Sequence, residues 1–427
     1  MKREQLHQAH RGKTLGILVG GGPAPGINGV IRAATIEARD AGLKVVGIRE
    51  GCRWLAQGKT DHVIDLGVDD VSRIHYLGGS ILSTSRVNPT KKEEDLKNVL
   101  GALTEIGCDF LVTIGGDDTA FTAQTINDRA GTQIEVAHVP KTIDNDLPLP
   151  GTMPTFGYQT ARHLGTALVQ NIMEDAVTTQ RWYYLVAMGR SAGHLALGIG
   201  KAASVTNIVI AEEFRGKPIR MKHLCDILEG SVIKRRMMGR DYGVVLLAEG
   251  LLDHVPPEDL DELKDVERDA HGNIRFSEVP LGRILKNEVR RRLAERDINV
   301  TIVDKNIGYE LRCQAPIPYD MEYTQDLGFA AVRYLLQGNT GALICVIEGK
   351  IEPIKFEDLL DRETGKTRVR RVDVDSDNYQ IAREYMIRLE QKDFADQKTL
   401  ARLAHTANTS PDEFKQHFGY LADTDQL

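Results

Sequence analysis

The sequence predicts an α/β protein built from two doubly wound, Rossmann-like lobes whose sheets are mostly parallel. Three observations carry this expectation. The chain has 427 residues, more than one hydrophobic core usually serves, which points to two lobes of ordinary domain size. Several short apolar runs lack the alternation of a half-exposed strand and read as strands covered on both faces, as in a parallel sheet. Glycine-rich loops carry the chain from such runs into helical stretches, which gives crossover units.

Taken in order, Leu15 to Val19 is an apolar strand that runs into GGGPAPG, Gly20 to Gly26. The stretch from Val30 has the composition of a helix closed by Gly42. KVVGI, Lys44 to Ile48, is the next strand. Leu96, Val99, Leu100, Leu103 and Ile106 recur at helical spacing, and Gly107 ends that helix. FLVTI, Phe110 to Ile114, delivers the chain to Gly115. Further buried strands are expected in IEVAHV from Ile134, WYYLVAM from Trp182, TNIVIA from Thr206 and GVVLLA from Gly243, with helices between most of them. After the loop at Gly338 to Gly341, ALICVIEGKIEPI reads as a hairpin turning at Glu348 to Lys350. ERDAHGN, Glu267 to Asn273, reads as an exposed loop, and the final fifty residues as polar helices. Composition reveals no boundary between the lobes.

The formal charge is −7, with 41% hydrophobic and 27% charged residues. That balance argues against broad binding of nucleic acid or of an anionic membrane, while leaving local basic pockets open. The five cysteines are far apart and form no metal-type or redox-type pair, which fits a reducing compartment. The amino end, MKREQLHQAHRGKT, is polar, and no later run is long and apolar enough to span a bilayer. A cytoplasmic location is expected.

The glycines Gly20, Gly21, Gly22 and Gly26 stand between a strand and a helix, where backbone N–H groups can approach an anion. The pattern is neither GxGxxG nor GxxxxGK[ST], which counts against dinucleotide-binding and Walker-type readings, and the competing reading is a tight turn alone. GGDDT, Gly115 to Thr119, places Asp117 and Asp118 at the carboxyl edge of a sheet, where ligands bind. Two adjacent carboxylates repel each other, so a magnesium ion or a cationic side chain is expected near them. The competing reading is that Asp118 only caps the helix. PKTIDNDLPLPG, Pro140 to Gly151, then brings Lys141, Asp144 and Asp146 to the same edge. Phosphoryl transfer needs a metal across the donor oxygens, cations around the moving group and a carboxylate for the hydroxyl proton. This loop contains groups suited to all three roles.

GGGPAPGIN, GGSILSTSR, GGDDT, PKTIDND, MGRSAG and IGYELRCQAPIPYD, in this order from Gly20 to Asp320, resemble the phosphofructokinase family. The resemblance implies two lobes, 1–155 with about 310–371 for the donor and 156–309 with about 372–427 for the sugar phosphate, and an active site in the cleft between them. It implies that Asp144 accepts the proton of the sugar's 1-hydroxyl, that Asp117 holds Mg2+, that Asp146 supports the metal, and that Thr142 bonds near the transferred group. Arg86 matches an arginine on the phosphoryl group in flight, where a planar fork of donors suits its oxygens. Met188, Gly189, Arg190 and Glu249 match groups that hold the sugar, and Arg312 matches an arginine on its 6-phosphate. Arg181, nine positions before Arg190, matches an arginine that reaches across a subunit interface, so a homodimer or homotetramer is implied. There are departures. Tyr309 stands where bacterial ATP-dependent members carry histidine, and Lys305 is the candidate for a second interface arginine that has no other counterpart.

ATP-dependent members usually have glycine at the positions of Asp118 and Lys141. An aspartate there occupies the volume of a nucleotide's α-phosphate and repels it, by about 4 kcal/mol at about 4 Å and an effective dielectric of about 20, or about a thousandfold in affinity. Lys141 sets a cation against a compact diphosphate, with Gly21, Gly22 and Thr119 completing the donor site. Cys52 replaces the aromatic residue common in ATP users, and VNPTKK replaces an arginine-rich stretch after Arg86. The Asp and Lys pair resembles the pyrophosphate-dependent branch. The expected substrates are therefore pyrophosphate and fructose 6-phosphate, with sedoheptulose 7-phosphate also compatible with the pocket. The alternatives are an ATP-dependent enzyme that tolerates Asp118 and a non-catalytic subunit that binds sugar phosphate. NAD and lipid kinases share a GGD loop but not PKTIDND with MGR.

Overall fold

In the computed structural model, residues 10–151, 153–261, 279–359 and 367–422 are described. The loop expected at Glu267 to Asn273 lies outside them. Two compact units divide the chain, one formed by Met1–Ala161 with Tyr309–Arg370, the other by Arg162–Gly308 with Arg371–Leu427.

In chain order the strands are β1 (Thr14–Val19), β2 (Lys44–Ile48), β3 (Val63–Asp65), β4 (Phe110–Gly115), β5 (Glu135–Thr142), β6 (Phe156–Gly157), β7 (Trp182–Ala187), β8 (Asn207–Val209), β9 (Gly243–Ala248) and β10 (Ile302–Ile307). Short strands β11 (Ala342–Leu343), β12 (Val346–Ile347), β13 (Lys350–Ile351) and β14 (Ile354–Lys355) follow.

The first unit has one sheet in the order β14-β11-β5-β4-β1-β2-β3, with β6 paired to β5. Its five central strands run parallel, and the outer strands β14 and β3 are antiparallel. Both faces are covered, which explains the unalternated apolar runs. Ile17, Val112 and Val139 face one core with helix α1 (Ile27–Asp40), while Leu18, Leu111 and Val136 face another with α2 (Glu93–Ile106). The helix α1 leads from β1 to β2 on one side, and α3 (Asp117–Ala130) leads from β4 to β5 on the other. The carboxyl ends of β1 and β4 therefore meet where the winding reverses, the point at which such sheets bind ligands.

The second unit has a parallel sheet in the order β10-β7-β9-β8. Its core gathers Trp182, Tyr184, Leu247 and Leu285, together with Phe414 and Phe418 from the end of the chain. The final segment is helical, as expected, through Asp377–Glu384, Gln391–Ala395, Gln397–Thr406 and Pro411–Phe418. The hairpin is found as β12 paired with β13, enclosed by β11 paired with β14.

Two strands depart from the expectation. The segment IVDKNI forms β10, whose polar centre, Asp304 to Asn306, hides it from a search for apolar runs; an edge strand tolerates such residues. The strand expected from Ile134 to Val139 continues through Thr142, because Lys141 and Thr142 pair with Phe156 and Gly157 of β6. Lys141 and Thr142 are thus held by a ladder rather than carried on a loop.

Candidate active site

Loops from β1, β4 and β5 surround a cavity of about 280 Å3 in the first unit. Asp117, Asp118, Asp144 and Asp146 line it with Arg86, Lys141 and Arg312. Gly21, Gly22, Thr119 and Thr142 complete most of the wall, and Cys52 lies at its edge. The donor, metal and base residues expected from the sequence are therefore neighbours.

At Gly20 and Gly21 the glycine loop works differently from the expected backbone cradle. The N–H of Gly20 donates to the Ile114 carbonyl at 2.9 Å and that of Gly21 to the Ser85 carbonyl at 2.8 Å, so neither faces an anion. The helix α1 begins behind the cavity, where Gly26 packs against Thr324 and Phe156. What the missing side chains admit is charge from elsewhere. A Cβ on Gly21 would stand 3.5 Å from the Lys141 ammonium, and one on Gly22 would stand 3.5 Å from the Arg312 guanidinium carbon. The ammonium of Lys141 donates to the Gly22 carbonyl.

Thr119 is wedged between the ends of β1 and β4. A Cβ on Gly20 would come within 2.4 Å of its hydroxyl oxygen, and one on Gly115 within 2.3 Å. The residue locks the two loops together from the cavity wall. Asp117 and Asp118 are exposed in the first turn of α3, whose N-cap is Gly116 without a side-chain bond. The capping alternative for Asp118 is thus not met, and its carboxylate instead accepts from Asn88 Nδ2 at 3.4 Å. Behind the loop, buried His138 joins Thr113 Oγ1 at 2.8 Å and the Gly115 carbonyl at 3.1 Å. Burial pushes His138 down to about 3, so the ring stays neutral and braces the loop without adding charge.

Lys141 is only 4% exposed. Burial pulls its ammonium down to about 8, with Arg312 and Arg86 acting the same way and Asp144 and Asp146 opposing them. Asp146 is raised, first by burial and then by the charge of Asp117. Asp146 together with the Asp117 carboxylate whose charge acts on it is a donor set that a divalent cation fits, since hard cations take carboxylate oxygens and offset the repulsion. The Thr142 hydroxyl accepts from the Asp144 N–H at 3.0 Å, which ties Asp144 to the strand end.

In the second unit the loops after β7, β9 and β10 interlock. The N–H of Gly250 donates to the Gly189 carbonyl at 3.2 Å, and a Cβ on Gly308 would come within 2.5 Å of Met188. Arg190 Nε donates to Asp253 at 2.8 Å, and Glu249 stands in the same field. Met188, Gly189, Arg190 and Glu249 are therefore together. Arg181 is not with them: it precedes β7, whereas Arg190 follows it, so a strand of six residues separates the two, about 20 Å. Lys305 is exposed in the middle of β10. Tyr309 and Arg312 belong to the first unit, as expected for the segment from about residue 310. Tyr309 is 76% exposed, with the Arg312 guanidinium 4.9 Å over its ring. Arg312 joins Lys141 in the cavity because the short helix Tyr309–Arg312 ends there.

A phosphofructokinase family model matches residues 14–335. The chain belongs to the phosphofructokinase family. A pyrophosphate–fructose 6-phosphate 1-phosphotransferase of Thermotoga maritima is 52% identical over 414 residues, covering 96% of this chain and 99% of the relative. A protein of the same description from Naegleria fowleri is 50% identical over 417 residues, covering 96% and 95%. The solved structure of a pyrophosphate-dependent phosphofructokinase from Nitrosospira multiformis resembles this chain with a TM-score of 0.67 at 18% identity, covering 87% of this chain and 90% of that one, a likeness of fold.

Sequence reasoning did not single out Asn88, Asn145, Asp253 or Arg370. Asn88 lies in the VNPTKK stretch already marked as unusual, and Asn145 lies inside TIDND. Asp253 and Arg370 carry no local signal, because their partners are far away in sequence.

Proposed function

We propose that this chain transfers a phosphoryl group from pyrophosphate to the 1-hydroxyl of fructose 6-phosphate, giving fructose 1,6-bisphosphate and phosphate, reversibly. The observation that carries the choice of donor is that the buried ammonium of Lys141 and the exposed Asp118 carboxylate line one small cavity. These two groups fill, with side chain and charge, the space that an extended nucleotide triphosphate would need. The relatives at 50–52% identity are described as pyrophosphate enzymes, which favours pyrophosphate over ATP.

Asp144 takes the proton from the attacking hydroxyl as the new O–P bond forms. The bridging O–P bond of pyrophosphate breaks, and its oxygen leaves on the departing phosphate. Arg86 and Lys141 surround the moving group, and Arg312 adds a third cation to the cavity. Asp117 and Asp146 are the residues that would hold Mg2+, which supplies positive charge against the diphosphate oxygens when bound. Arg190 and Glu249 bind the sugar. Arg181, remote from them in its own chain, fits a role toward a second subunit's sugar site in a homodimer or homotetramer. Among the described residues no helix is long and apolar enough to cross a membrane, and we place the enzyme in the cytoplasm.

The test is a coupled assay of the purified protein with fructose 6-phosphate, Mg2+ and either pyrophosphate or ATP. Turnover with pyrophosphate at least tenfold above that with ATP is expected; a preference for ATP would end the donor assignment.

A further inference from the structure

Asn145, between Asp144 and Asp146, is buried and has φ 58°, a left-handed backbone that asparagine tolerates better than most L residues. Its conformation sets the directions in which both aspartates leave the chain.

Most of the hydrogen bonds that hold this segment come from one distant residue. The N–H of Arg370 donates to the Asp146 carbonyl at 2.7 Å, and its Nε donates to the Asn145 carbonyl at 3.1 Å. Its Nη2 donates to Asn145 Oδ1, and its Nη1 donates to the Met153 carbonyl at 2.6 Å. Thr155 completes the brace: its N–H donates to Asn145 Oδ1 at 3.0 Å and its hydroxyl to the Thr142 carbonyl at 2.9 Å. The planar fork of Arg370 thus reaches two backbone carbonyls and one amide oxygen at once, which a lysine ammonium on a flexible stem cannot reproduce.

We infer that Arg370 is a positioning residue for phosphoryl transfer, clamping Asn145 so that Asp144 and Asp146 face the reacting groups. The inference rests on the proposed role of Asp144 as the base. Arg370 is not a wall residue of the cavity, so its loss acts on the geometry of the loop rather than on the hold on either substrate.

The test is a double-mutant cycle between Arg370→Ala and Asn145→Ala, with Arg370→Lys and Asp144→Ser assayed beside it. Arg370→Ala is expected to lower kcat about a hundredfold, as for a misplacement of about 1 Å, with KM for pyrophosphate and fructose 6-phosphate changed less than about threefold. In the Asn145→Ala background the same change should cost less than about threefold more, since the clamp has already lost its hold. Arg370→Lys should fail to restore kcat, whereas added guanidinium ion should partly restore Arg370→Ala and leave Asp144→Ser inactive. A kcat for Arg370→Ala within about threefold of wild type, or losses that multiply in the double variant, overturns the inference. If Arg370→Ala does not fold, Asn145→Ala alone decides: a fall in kcat with unchanged KM supports the clamp, and unchanged kcat overturns it. Should Asp144→Ser keep more than a tenth of wild-type turnover, the base assignment falls while the cycle still reads the clamp.

Discussion

The cavity of the first unit and the β7, β9 and β10 loops of the second unit both lie at the carboxyl edge of a parallel sheet, yet they hold their charges differently. In the first, Lys141 is buried, its ammonium fixed on a backbone carbonyl, and the four aspartates share the space with three cations. In the second, Arg190 projects into solvent, with 70% of its side chain exposed, and pairs with Asp253. Buried groups that cannot move discriminate by volume and by fixed charge. An exposed arginine that can leave its partner waits for a ligand. In the proposed function, selectivity for the donor belongs to the first unit and adaptable grip on the sugar to the second.

Removal of the base should give the largest effect. Asp144→Ser is expected to lower kcat by about a thousandfold or more, within the range for a positioned general base, with KM for fructose 6-phosphate near normal. Single-turnover and steady-state assays check this, and retention of more than a tenth of the activity removes Asp144 from the role. Next, Asp118→Gly with Lys141→Gly should move the ratio of pyrophosphate to ATP turnover by up to about a thousandfold toward ATP, from the repulsion worked out for a nucleotide phosphate. An unchanged ratio would mean that fixed charge in this cavity does not select the donor.

On the second unit, Arg190→Ala should raise KM for fructose 6-phosphate about tenfold to a hundredfold, the worth of a charged hydrogen bond, without changing KM for pyrophosphate. An equal rise in both constants would erase the division between the two regions. Asp253→Ala should change KM for the sugar only a few-fold, since an exposed ion pair contributes little.

The pH response should divide the regions too. Lys141 has a folded value of about 8 against an ordinary 10.5. Below about pH 8 it carries its charge, and as pH rises past that point the charge is lost. The value of kcat/KM for pyrophosphate should therefore fall above about pH 8, and this fall should vanish in Lys141→Met. Stability should move the opposite way. The unfolded chain binds this proton more tightly, so between about 8 and 10.5 folding is favoured as pH rises.

Much of the site was legible because phosphoryl chemistry concentrates its groups in short segments at strand ends. GGDDT and PKTIDND each name their carboxylates within a few residues, and the buried strands before them announce themselves by unbroken apolar runs. The part expected of Gly20 and Gly21 in a cradle was read less well, since composition cannot tell an N–H that meets an anion from one bonded to Ser85. The motif of Arg312 does not reveal that its guanidinium lines the same cavity as Lys141, because the two are far apart in sequence.

By itself, then, the sequence determined the α/β class, most strands of the central sheet and the acids and cations that line the cavity, because these depend on local pattern and on residue chemistry. Tertiary structure alone decided which of these groups share a cavity, that Lys141 is buried with a lowered proton affinity, and that Arg370 reaches back 225 positions to Asn145. Burial and long-range hydrogen bonds belong to no single segment, so no segment can announce them.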